Sequence, residues 1–139
     1  MKDEKRLIKL FEKYTDVQLA YLFGSSATGK VNPLSDIDIA VQIRDSISVK
    51  DKLELQLHLL SELTSIFNTD KIDLIIMNDV SISLNYEIIK YNYPVYIKNK
   101  EDKVDFEHKI LSMYLDRRYY EKRAANEFLN KVNTKGLSF

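Results

Sequence analysis

Two strand-like runs, residues 17–23 and 36–43, are joined by a short segment that holds Gly24, Gly29 and Pro33. This gap constrains the fold more than any other feature. It has no room for the full helix that a parallel crossover needs, so the two runs are expected as antiparallel neighbours. The second run alternates cleanly. Ile37, Ile39, Val41 and Ile43 share one face, and Asp36, Asp38, Ala40 and Gln42 share the other. That is the two-residue period of a strand with one face in a core.

The rest of the chain alternates helix and strand. Leu7, Leu10, Phe11 and Tyr14 predict an amphipathic helix over 3–14. A long helix is predicted over 50–67, with Leu53, Leu57, Leu60, Thr64 and Phe67 as its apolar stripe. A third strand is expected over 71–77, then a helix over 81–91 capped by Ser81 or Ser83. A short strand over 94–98 begins with a proline, which suits a sheet edge. One long helix is predicted over 102–131, with a fraying tail after Asn133 that contains Gly136. The expected class is α/β (α+β): a mixed sheet of about four strands flanked by helices, with a long C-terminal helix. No repeat or linker divides the chain, so 1–139 is expected as a single domain.

Composition narrows the function. Lys+Arg and Asp+Glu are equal at 21 each, so no overall field draws nucleic acid or an anionic membrane. There is no cysteine, hence no disulfide framework and no thiolate metal site. The N-terminus is charged and mixed in sign, and no apolar run approaches a membrane span, so a cytoplasmic protein is expected.

Gly24-Ser-Ser-Ala-Thr-Gly29-Lys30 follows the G-x-x-x-x-G-K spacing of an ATPase phosphate loop. Two features argue against that reading. Val31 lacks the hydroxyl that would hold Mg²⁺, and Pro33 breaks the helix that should follow. The acidic pair gives the segment another meaning. Asp36 and Asp38 lie two apart on a strand and point to one side, and two carboxylates in one cleft repel unless a cation sits between them. A hard divalent ion such as Mg²⁺ is the natural answer. Asp73 interrupts an otherwise apolar strand; beside the pair it would complete a two-metal site or take a proton from an attacking hydroxyl. Its alternative is an edge position facing water, or a pairing with Lys71. Gly24 and Ser25 end a strand where free backbone N–H groups can hold phosphate oxygens.

Gly24-Ser25, ten residues, then Asp36-Ile37-Asp38 reproduces the G-S-x10-D-x-D signature of the DNA polymerase β-like nucleotidyltransferases, and Ser35 completes the common S-D-I-D form. The chain resembles the minimal nucleotidyltransferases of that superfamily, and among them the MNT antitoxins paired with HEPN toxins. The resemblance implies a polymerase β-like fold, with Asp36 and Asp38 binding two Mg²⁺. It implies that Asp73 shares the catalytic metal and activates the acceptor hydroxyl, and that Gly24 and Ser25 hold the β- and γ-phosphates. It further implies AMP transfer from ATP to a tyrosine of a HEPN ribonuclease, in a hetero-oligomer with that toxin. Relatives often read G-S-x-A-R-G; here Thr28 stands where the arginine would be, and Lys30 is the candidate to supply the charge, against a solvated loop lysine. Two alternatives stay open: an antitoxin that acts by binding alone, and a small-molecule, aminoglycoside-type nucleotidyltransferase.

His58 and His108 lack the partners that a zinc site or a triad needs, and are expected to be structural. Arg117-Arg-Tyr-Tyr-Glu-Lys-Arg123 is the one dense basic-aromatic stretch, either a partner contact or a solvated helix face.

Overall fold

The computed structural model describes residues 4–24 and 36–135. Helix α1 spans Glu4–Lys13, strand β1 Val17–Phe23, strand β2 Ile37–Ile43 and helix α2 Val49–Phe67. Strand β3 spans Ile72–Ile76 and runs into a single 3-10 turn, Met77–Asp79. Helix α3 (Ile82–Lys90), strand β4 (Pro94–Ile97) and helix α4 (Lys100–Lys135) complete the order.

The four strands form one sheet in the order β3-β2-β1-β4. As expected from the short gap, β1 and β2 are antiparallel, with Phe23 opposite Asp38. β4 is antiparallel to β1, and β3 is parallel to β2. The sheet is therefore mixed, with β3 and β4 at its edges. Pro94 indeed begins an edge strand.

Strand alternation divides the core in two. Ala20, Leu22, Ile39, Val41 and Ile43 face α1 and α2, where Leu7, Phe11 and Leu59 meet them. Leu19, Tyr21 and Ala40 face the other way, onto Ile88 of α3 and Ile110 of α4. Asp38 and Asp73 follow the parity of Ala40 and Ile75, so both point to the α3/α4 side.

Caps fix where the helices start and stop. The Ser48 hydroxyl accepts from the Asp51 N–H at 3.1 Å, and Asn68 ends α2 in the left-handed region at φ 52°. Ser81 caps α3 by accepting from the Leu84 N–H at 3.2 Å. α4 begins at Lys100 rather than 102, because the Asn99 carboxamide oxygen accepts from Glu101 N–H (2.9 Å) and Asp102 N–H (3.1 Å).

The face of α2 differs from expectation. Leu55, Leu59 and Leu63 are buried, whereas Leu53 and Leu57 are 56% and 57% exposed. Only Leu60 and Phe67 of the predicted stripe pack on the core. The helix carries leucine rows on two faces, and periodicity cannot choose between them; the row that packs is chosen by the sheet and α1.

Candidate functional site

β1 and β2 bring the glycine and the acidic pair together. Gly24 directly follows β1 and has φ +61°, a conformation that a side chain disfavours. A Cβ added there would stand 2.5 Å from Asp38 Oδ2, closer than real Cβ contacts allow. The glycine therefore makes room for the Asp38 carboxylate.

Asp38 is half-buried and Asp36, immediately before β2, is exposed. In the parallel register Asp38 lies opposite Asp73, on strands about 4.8 Å apart. Asp73 is exposed on the edge strand, so the water-facing alternative describes its setting. Yet the register still places it beside Asp38, on the same face. Burial first, and then the charges of Asp73 and Asp36, hold the Asp38 carboxyl above its usual range. Half-buried Phe23, across the strand pair from Asp38, supplies an apolar wall there.

Asp38 and Asp73 thus share a face, and the charges of Asp73 and Asp36 both act on Asp38. Among the described residues, no group of three or more His, Cys, Asp and Glu side chains is placed to hold a metal ion. The donor set is nonetheless all oxygen and mutually repulsive, which fits a hard divalent cation better than a soft one. Ser25, Thr28, Lys30 and Ser35, with any turn of helix between the first two strands, lie outside the described residues. The tail with Gly136 does too. His58 and His108 are both exposed on helices.

Two supports behind the site were not read from the sequence. Asn78, in the 3-10 turn, accepts from the Ile43 N–H at 3.0 Å and donates to the Ile43 carbonyl at 2.8 Å, closing the end of β2 as another strand would. Fully buried Tyr21 donates its O–H to Glu107 of α4 at 2.7 Å, and Glu107 pairs with Lys103 at 2.9 Å. Burial, with Glu107 alongside, pushes the Tyr21 hydroxyl well above its usual range. Asn78 sits in the turn that follows β3, but its bonds to Ile43 span a separation that no local pattern reveals. Among the described residues, no helix is long and apolar enough to cross a membrane.

Known proteins resemble this chain over most of its length. The family model described as "Polymerase beta, Nucleotidyltransferase" matches residues 5–101. A Shewanella oneidensis protein named protein adenylyltransferase MntA is 32% identical over 113 residues, 81% of this chain and 77% of that protein. A crystal structure of a toxin–antitoxin with AMP-PNP superposes with a TM-score of 0.69 at 26% identity, covering 91% of this chain and 98% of that one. A crystal structure of the toxin–antitoxin MntA–HepT gives 0.64 at 26% identity, covering 92% and 97%.

Proposed function

The chain belongs to the polymerase beta nucleotidyltransferase family, and from that premise we propose that it is a protein adenylyltransferase. It transfers AMP from ATP to a hydroxyl, a tyrosine of a HEPN-type toxin partner, and so acts as the antitoxin. The observation that carries this is the convergence of Gly24, Asp38 and Asp73. A left-handed glycine fits against one carboxylate, which lies in register with another. The names of the relatives, an adenylyltransferase and toxin–antitoxin complexes, support the acceptor and the partner.

Asp36, Asp38 and Asp73 would hold the Mg²⁺ ions that the family's chemistry calls for. When bound, magnesium neutralises triphosphate charge and favours the ionised acceptor oxygen. The remaining steps belong to the chain. Gly24 lets the triphosphate approach the main chain, and Ser25 adds a hydroxyl to the β- and γ-phosphates. Lys30 contributes positive charge near them. Asp73, exposed on the edge strand, accepts the proton of the acceptor hydroxyl. The acceptor oxygen forms its bond to the α-phosphorus as the bond to the β-phosphate oxygen breaks, and pyrophosphate leaves with that electron pair. Residues 1–139 serve as one minimal nucleotidyltransferase unit.

The test is to incubate the chain with its HEPN-type partner, ATP and Mg²⁺ and to measure intact mass. Wild type adds AMP units to the partner. Asp36→Asn and Asp38→Asn add none while keeping a cooperative thermal melt. A complex without mass gain would establish neutralisation by binding alone. Labelling of a small alcohol and not of the partner would establish a small-molecule transferase. Wild-type transfer by either variant would remove these carboxylates from the site.

A further inference from the structure

Helix α4 outlasts the body that it packs on. Phe106 and Ile110 join the core, and Tyr114 stacks on Tyr86 of α3 with ring centroids 3.8 Å apart and planes 3° from parallel. From Leu115 to Lys131 every residue is exposed, an overhang of about 25 Å. A mixed helical segment of this length is marginal in water unless something packs on it.

One face of this helix is distinctive. Val104, Leu111, Leu115, Arg118, Lys122 and Leu129 follow at helical steps that keep them within an arc of about 60°. The four aliphatic members are 62%, 41%, 52% and 55% exposed. The stripe therefore has apolar ends and a centre of two cations. Neighbouring Arg117 and Arg123 are paired, with Glu121 at 3.0 Å and Glu127 at 3.2 Å. Both arginines of those pairs lie off the stripe, and Arg118 and Lys122 are left to meet a counter-charge from outside.

That pattern selects among occupants. A second copy lying antiparallel on the stripe would set Arg118 against Lys122; a parallel copy would set Arg118 against Arg118. Either stacks like charge on like charge. A nucleic acid would find aliphatic side chains there and no aromatic face for a base. An apolar protein groove with carboxylates at its middle complements the stripe along its whole length.

We infer that this face of α4 is the surface on which the HEPN-type partner docks. The inference rests on the partner named in the proposed function, and it adds where that partner binds. The docking face contains no member of the candidate site, so binding and transfer are separable.

Two full-length double variants test it: Leu115→Glu with Leu129→Glu, and Arg118→Glu with Lys122→Glu. Each is titrated calorimetrically against the purified HEPN-type partner, with a thermal melt and with AMP transfer at raised partner concentration measured alongside. Both are expected to bind on the order of 100-fold more weakly, because central apolar and charged contacts dominate such interfaces. Both are expected to recover wild-type transfer once partner concentration compensates. Should the leucine pair lower the melting temperature, the charge pair decides alone. Wild-type affinity in the folded variants overturns the inference, as does a wild-type chain that does not bind the partner. Self-association dispersed by the substitutions, with partner binding intact, reassigns the face to a second copy. Lost binding to a single-stranded RNA oligonucleotide, with partner binding intact, reassigns it to RNA. A wild-type chain that binds the partner through this face yet transfers no AMP sinks the transferase reading and leaves the docking surface standing.

Discussion

Replacing Gly24 by alanine separates two costs that the structure predicts to differ in size. The first is conformational. At φ +61° an L-residue loses about 1–2 kcal/mol relative to glycine. For a chain of this size that is a fall in melting temperature of about 3–6 °C. The second is steric. The new methyl would stand 2.5 Å from Asp38 Oδ2, and it is the side chain, not backbone, that gives way. Moving the end of one carboxylate costs little stability, but it takes Asp38 off its position by a sizeable fraction of an ångström. Misplacing a catalytic group on that scale lowers rates by about 10²-fold. The expected outcome is a stable protein with AMP transfer down by about two orders of magnitude, read by intact mass over time. Gly24→Ala protein that transfers AMP at the wild-type rate would refute the claim that the glycine makes room for the carboxylate.

Asn78→Ala should cost about 1–2 kcal/mol in urea unfolding, because both the N–H and the carbonyl of Ile43 lose a partner in a part-buried setting. An unchanged midpoint would show that water replaces the side chain. Glu62 accepts from Lys13 and from Tyr14 O–H, and those contacts hold its carboxyl below the usual range. A lowered folded pKa adds stability above the ordinary glutamate range and loses it as pH falls through the folded value. Glu62→Gln should therefore be less stable than wild type at neutral pH, by at most about 1 kcal/mol after solvent screening. The two melting curves should converge as pH falls below the ordinary glutamate range; a gap that persists in acid would assign the loss to packing.

What could be read from the sequence was whatever a local pattern encodes. The alternation from Asp36 to Ile43 displayed the acidic pair, and the charge within Ile72–Ile76 marked Asp73. The short gap before Asp36 gave the antiparallel pairing. What could not be read depended on contacts between distant segments. The parallel register that sets Asp73 beside Asp38 is not implied by either strand alone. Nor is the approach of Gly24 to the Asp38 side chain, because the two are distant in sequence. The two leucine rows of α2 are equivalent until the sheet selects one. Asn99 is a different case: the expected start at 102 overlooked its capping oxygen, which moves the start of α4 to Lys100.

The central strand has a consequence for how the chain is made. β1 is closed on one side by β2, its near neighbour in sequence, but on the other by β4, where Leu19 meets Ile97. At translation rates of about 5–20 residues per second, that second partner emerges roughly 4–16 s later. Throughout that interval an apolar strand presents an open edge, the kind that recruits other nascent chains. The final arrival of β4 both completes the four-stranded sheet and covers that open edge of β1.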